Sequence, residues 1–381
     1  MKKILFVIIL LIFLPCKVVA AQENKVYDEK VYQEQYETSG AQKLFGELPK
    51  EAQKSFDSIG LNGADFNKIM DIKPESVLEN VIDTAKKKLP GPLKAVSMIL
   101  AVILLNAIFT ALKISIGEKS MSTVLGVVTT LCICMIIIAP IVEFIGRAAT
   151  LIKGASTFLL CYIPVMVGIM VASGQAFSSV AFSSMMVTLG DVITQISSSF
   201  LVPLLNIFLT ISVVCAISLR FKFSGLCELY SKVIKWVLGF VMTVFSGILT
   251  TKSLIGATVD SVSSKTTKFV LSSFVPIVGG ALGDAFLTVQ GCVKILKSGV
   301  GAFFIIAIGF IFLPVVVECI IWVLVTNVCA VAGDIFELSE VSTLLKNIGK
   351  VMSALMAVII CIMTILIIST VVVLNVGGGG G

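Results

Sequence analysis

Four acidic residues and one lysine stand where a charge would be costly. Asp191 and Asp284 each follow a glycine, in Leu189-Gly190-Asp191 and Leu282-Gly283-Asp284. Glu318 interrupts the apolar run from Pro314 to Val325, and Lys294 stands ten residues beyond Asp284. Glu143 precedes Arg147 by four, the spacing of an ion pair on one helix face. Ionisable groups at membrane depth face a cavity, a partner or an ion path. Asp191, Asp284, Glu318 and Lys294 are therefore the candidates for such a path, and Lys294 can reach Asp284 if the chain folds back between them. Ordinary solvation at the interface is the competing reading, and it suits Glu143 with Arg147 at hand. Catalysis is not expected. The chain has no histidine, which removes Ser-His-Asp and Cys-His nucleophiles, histidine-bearing zinc sites and histidine-held haem. Nothing places serine and lysine as a dyad. Cys132-Ile133-Cys134 lacks structural-zinc spacing and has no second pair, so the cysteines read as small buried packing residues. No metal, cofactor or enzymatic activity is predicted.

The elements that must hold these residues follow from composition. Of 381 residues, 57% are hydrophobic and 14% charged, against about 25% charged in soluble chains. Mean hydropathy is +1.05. A chain of this size cannot hide so much apolar surface in one soluble core, so the expected fold is all-α and polytopic in a membrane. Apolar runs of spanning length lie at about 94–113, 121–142, 155–172, 200–219, 236–256, 300–325 and 351–374. Two weaker stretches, 177–198 and 269–298, are rich in Ser or Gly and read as broken or re-entrant hairpins, which need protein or a water-filled cavity over their backbone. Pro164, Pro203, Pro276 and Pro314 are candidate helix kinks, with plain packing as the alternative.

Charge divides the chain. Thirteen of the 23 acidic residues lie between Glu23 and Asp83, and 14 of the 29 basic ones at or before Lys94. Residues 1–20 read as a signal peptide: Lys2 and Lys3, an apolar stretch from Ile4 to Leu14, then Val18-Val19-Ala20 before Ala21. An uncleaved anchor, or a lipidated Cys16, would equally export the residues beyond it. Residues 21–92 form an exported polar helical segment without cysteine. Within it, Ser76 to Glu79 has capping-box form. Val77, Leu78, Val81, Ile82, Ala85 and Leu89 share a face, and Pro90 and Pro92 should break the helix. This helix either lies on the membrane or docks a partner. The net charge of +6 comes without a basic face interleaved with aromatics, so no nucleic-acid partner is expected.

The membrane domain, 93–376, carries signs of a tandem repeat, 121–235 and 236–350, before a final span at 351–374. Tyr162-Ile163-Pro164-Val165 and Phe274-Val275-Pro276-Ile277 are offset by 112 residues. The two Leu-Gly-Asp triplets are offset by 93, so they align only with a gap. An exported N-terminal segment sends the first span inward and puts Arg220, Lys222, Lys232 and Lys235 in the cytoplasm, as the positive-inside rule favours. Parallel repeats also build transporters with a site between halves, so a structural duplication and a transport site both fit.

A leader, an exported helical segment and a polytopic region containing Thr267-Lys268-Phe269-Val270, Phe274-Val275-Pro276-Ile277-Val278-Gly279 and Leu296-Lys297-Ser298-Gly299-Val300-Gly301 resemble the stage III sporulation protein AE family of endospore-forming bacteria. The similarity covers about residues 1–375 and is most specific from Thr266 to Gly301. The resemblance implies a multi-pass protein of the mother-cell membrane around the engulfed forespore. It would act with the other stage III sporulation A proteins and forespore protein Q in a trans-envelope channel that supports late forespore gene expression. It implies no catalytic residues. The alternative is an independent secondary transporter or permease for a small solute.

Overall fold

The computed structural model describes residues 28–114, 120–217, 224–274 and 279–375. The leader at 1–20, Pro276 and the terminal glycines lie outside them. Among the described residues every regular element is a helix. Four short helices come first: α1 (Glu29–Thr38), α2 (Lys50–Ser58), α3 (Phe66–Met70) and α4 (Pro74–Lys88). The long ones are α5 (Pro90–Ile114), α6 (Ser120–Ala172), α7 (Ala176–Gln195), α8 (Val202–Ile217), α9 (Ser224–Phe274), α10 (Gly279–Ile335) and α11 (Ser339–Asn375).

Six stretches are long and apolar enough to cross a membrane, at Pro90–Ala111, Leu125–Ala172, Ala176–Ala216, Gly225–Asp260, Val289–Ile335 and Ser339–Asn375. The seven expected runs fuse because polar and glycine-bearing intervals stay helical. Runs 121–142 and 155–172 are one helix of 53 residues containing Pro140 and Pro164. The stretch 177–198 is no re-entrant hairpin. α7 passes through a π-helical turn, Ile196–Leu201, into α8. Pro203 sits just beyond that turn, where its ring cannot accept the carbonyl four residues back in a regular α-turn, and the wider turn relieves the clash. In the stretch 269–298, residues 275–278 lie outside the described residues; from Gly279 onward α10 runs unbroken for 57 residues, Pro314 included. Gly299 and Gly301 serve close packing. A Cβ on Gly299 would lie 3.0 Å from Phe66 Cβ, and one on Gly301 would lie 2.5 Å from a terminal methyl of Leu374.

α10 is the axis of the bundle. Its most apolar 18-residue window is wholly buried, whereas only 11% of that of α9 is. α11 returns antiparallel to α10, bringing Leu374 to Gly301 and Ser342 to Gly333. The turn between them places Glu337 in the left-handed region, φ 59°. α6 and α7 form the other tight hairpin, closed by Gly174 at φ 78° with Gln175 N–H donating to Met170 O. This is the six-residue return that a left-handed glycine permits. Pro164 lies inside α6; its proposed repeat counterpart, Pro276, lies outside the described residues.

The polar N-terminal helices are seated on the long ones. Phe56 of α2 is fully buried, its ring 5.0 Å from that of Phe303 and 5.3 Å from that of Phe310. The stack continues through Phe304, 4.0 Å from Tyr162 and 5.6 Å from Phe158. α4 begins at Pro74 with Lys73 at the cap, so Ser76 is inside the helix and forms no capping box. Proline suits the first helical position because its missing N–H has no intrahelical partner there. Pro90 starts α5 in the same way, and Leu89 between them keeps helical φ and ψ, −70° and −37°. The expected break is therefore a single-residue join. The apolar face of α4 is split. Val77 and Val81 are buried, while Leu78, Ile82 and Leu89 remain exposed.

Candidate functional site

Glu318 lies about two-thirds of the way along the axis helix, and the fold gives it two cations from distant parts of the sequence. Arg147 Nη2 donates to Glu318 Oε1 at 2.6 Å, and Lys88 Nζ stands 3.9 Å from Oε2. Only 8% of the Glu318 side chain is exposed, against 50% for Arg147. Arg147 also reaches Glu143, 3.6 Å away, and its guanidinium sits 5.7 Å from the Phe144 ring centroid. Burying a carboxylate alone would be prohibitive, whereas a paired and hydrogen-bonded one is tolerated. The cluster thus joins the last residue of α4, the middle of α6 and the C-terminal third of α10. It ties the polar N-terminal helices to the long bundle where α4 passes into α5.

Asp191 and Lys294 do not join it. Asp191 is exposed on α7 and makes no ion pair among the described residues. The glycine before it does the packing: Ser156 Oγ donates to Gly190 O at 2.8 Å, and Thr194 Oγ1 lies 2.9 Å from Ser156 Oγ. Lys294 is exposed. It shares the continuous α10 with Asp284, ten residues or about 15 Å along the axis, and the side chain of Asp284 lies outside the described residues.

A second polar cluster has no counterpart among the sequence candidates. Lys297, 3% exposed, donates to Gln175 Oε1 at 2.7 Å. Asp260 of α9, also buried, accepts from the backbone N–H groups of Phe177 and Ser178 at 3.0 and 2.9 Å. It caps α7 from another helix, satisfying two of the donors a helix start leaves open and facing the positive end of its dipole. Gly256 lies one turn before it, where a Cβ would stand 2.7 Å from Ser178 Oγ. The sequence signals are faint: one of two acids in α9 and a glutamine after the Gly174 turn.

Long apolar helices around a buried axis, with charge gathered on four short helices and two tie points, define a polytopic helical membrane protein. Residues 64–377 match the family model described as Stage III sporulation protein AE, and the chain belongs to that family. Stage III sporulation protein AE of Bacillus subtilis (strain 168) is 25% identical over 202 residues, covering 52% of this chain and 51% of the relative. The match thus spans about half the length of that relative. No solved structure matches the chain.

Proposed function

We propose that this chain is an integral membrane component of a multi-protein trans-envelope channel, needed for endospore formation and late gene expression in the forespore. Its place would be the mother-cell membrane around the forespore. Family membership carries the reading. The other stage III sporulation A proteins and forespore protein Q are the proposed partners. The helices at 29–88 would face the space between the two membranes, where those partners are within reach. The transporter alternative gains little from the bundle, because the Phe158–Phe304–Tyr162 stack fills the interior beside α10.

Deletion of the gene in its own host tests this. The expected result is an arrest after engulfment with late forespore reporters silent, restored by the full chain, and copurification of the chain with other stage III proteins. Normal spores from the deletion strain would end the proposal. Solute uptake by the purified chain alone in liposomes would favour the permease.

A further inference from the structure

The long helices carry more apolar surface than one bilayer can cover. On α9 the exposed apolar residues run from Leu226 to Val262, about 54 Å at 1.5 Å per residue, against a hydrocarbon core of about 30 Å. The polar helices α1 to α4 cover one flank of the bundle, packed against α10. α9 lies against α7, α8, α10 and α11 and leaves its outer face open. Between Trp236 and Val259 that face carries a single charge, Lys252.

The uncovered flank of α4 is its counterpart. Leu78 and Ile82 are 47% and 46% exposed on an otherwise polar helix, and Glu75 and Glu79 beside them are exposed as well. The two faces also stand at one height. Lys88 marks the level of Glu318, so Leu78 lies about 15 Å above it along α4. Leu238 O of α9 faces Cys361 Sγ of α11. The pairing of Leu374 with Gly301 puts Cys361 opposite Pro314, one turn above Glu318. Phe240 and Val244 of α9 therefore rise to the height of Ile82 and Leu78, and Lys252 comes within a lysine's reach of the height of Glu75. Copies in one membrane are related by rotation about its normal, which preserves height, and two different faces meet head to tail.

We infer that copies of this chain associate side by side, the α4 stripe of one copy lying on the α9 face of the next, with Glu75 and Lys252 as the charged pair. The contact needs only this chain. It rests on the channel reading solely for the side of the membrane on which α4 lies.

The full chain in two tagged forms, coexpressed in a host without sporulation proteins, tests it. The photo-crosslinker p-benzoylphenylalanine is placed at the position of Leu78. The expected product is a band of two chains carrying both tags, with the linked peptide in α9. Lys252→Glu should lower its yield about threefold to fivefold, the range a partly screened surface ion pair commands, and Glu75→Lys in the same chain should restore it. The restoration separates a lost contact from a misfolded variant. Crosslinking to lipid alone, to a host protein or to nothing in a correctly folded chain would overturn the inference. Because the host lacks the proposed partners, the result is independent of the sporulation phenotype.

Discussion

Arg147 on α6 and Glu318 on α10 meet at 2.6 Å across 171 residues of sequence. The acid is buried and the base half-exposed, so the two ends of the pair are not equivalent. Removing Arg147 leaves Glu318 in the interior with only Lys88 at 3.9 Å. Removing Glu318 leaves Arg147 free to turn toward water and Glu143.

Arg147→Met should therefore cost more than Glu318→Gln. Loss of one partner of a fully buried pair costs about 3–5 kcal/mol, and the exposure of Arg147 together with the remaining Lys88 reduces that to about 1–3 kcal/mol. Arg147→Met with Glu318→Leu should recover most of the loss, because no stranded carboxylate remains. Thermal unfolding of the three variants in one detergent measures the cycle. Equal losses for both single variants would show that Glu318 is solvated.

Phe56→Ala should release the polar helices while leaving the long bundle intact. The ring is fully buried between Phe303 and Phe310, and truncating such a phenylalanine costs about 3–5 kcal/mol. Limited proteolysis reads this directly. Cleavage within 29–88 should accelerate by at least an order of magnitude, with fragments containing α6 to α11 persisting. Unchanged cleavage would mean that the segment is held from elsewhere.

Gly299 and Gly301 should answer differently to alanine. At Gly299 the added methyl meets Phe66 Cβ at 3.0 Å, Phe66 Cα at 3.2 Å and Ala64 O at 3.3 Å, atoms that move only with the backbone. Overpacking of this kind costs about 1–3 kcal/mol, and the better helix propensity of alanine returns up to about 1. At Gly301 the contacts are Cδ2, Cδ1 and Cγ of Leu374, at 2.5, 2.8 and 2.9 Å, all side-chain atoms that can rotate away. Gly299→Ala should lower the melting temperature, and Gly301→Ala should leave it nearly unchanged.

The helical membrane class was legible because hydropathy is a property of composition. The limits of the helices were less so. Residues 177–198 look broken on account of their Gly and Ser, yet those residues are where helices approach closely, as at Gly190 against Ser156, and just beyond the stretch 269–298 Gly299 does the same against Phe66. Asp191 and Glu318 look alike in sequence. One is exposed and the other buried because of what packs on them: Arg147 and Lys88 lie 171 and 230 positions from Glu318, beyond any local pattern. Lys88 itself reads locally as a cation at a helix C-terminus. Asp260 carries no local signal, because the helix it caps starts 84 residues earlier.

That cap yields a graded prediction. Asp260 accepts from Phe177 and Ser178 with separate oxygens. Asp260→Ala leaves both N–H groups without this acceptor at a buried helix start, a loss of about 1–3 kcal/mol for each such group at full burial. Asp260→Asn keeps one acceptor and loses the charge facing the dipole, worth about 0.3–1 kcal/mol. Hydrogen exchange at the first turn of α7 should rise steeply in the alanine variant and modestly in the asparagine one, while exchange in α11 stays as it was. Equal exchange in both variants would mean that charge rather than hydrogen bonding holds the helix start, because alanine and asparagine remove the same charge.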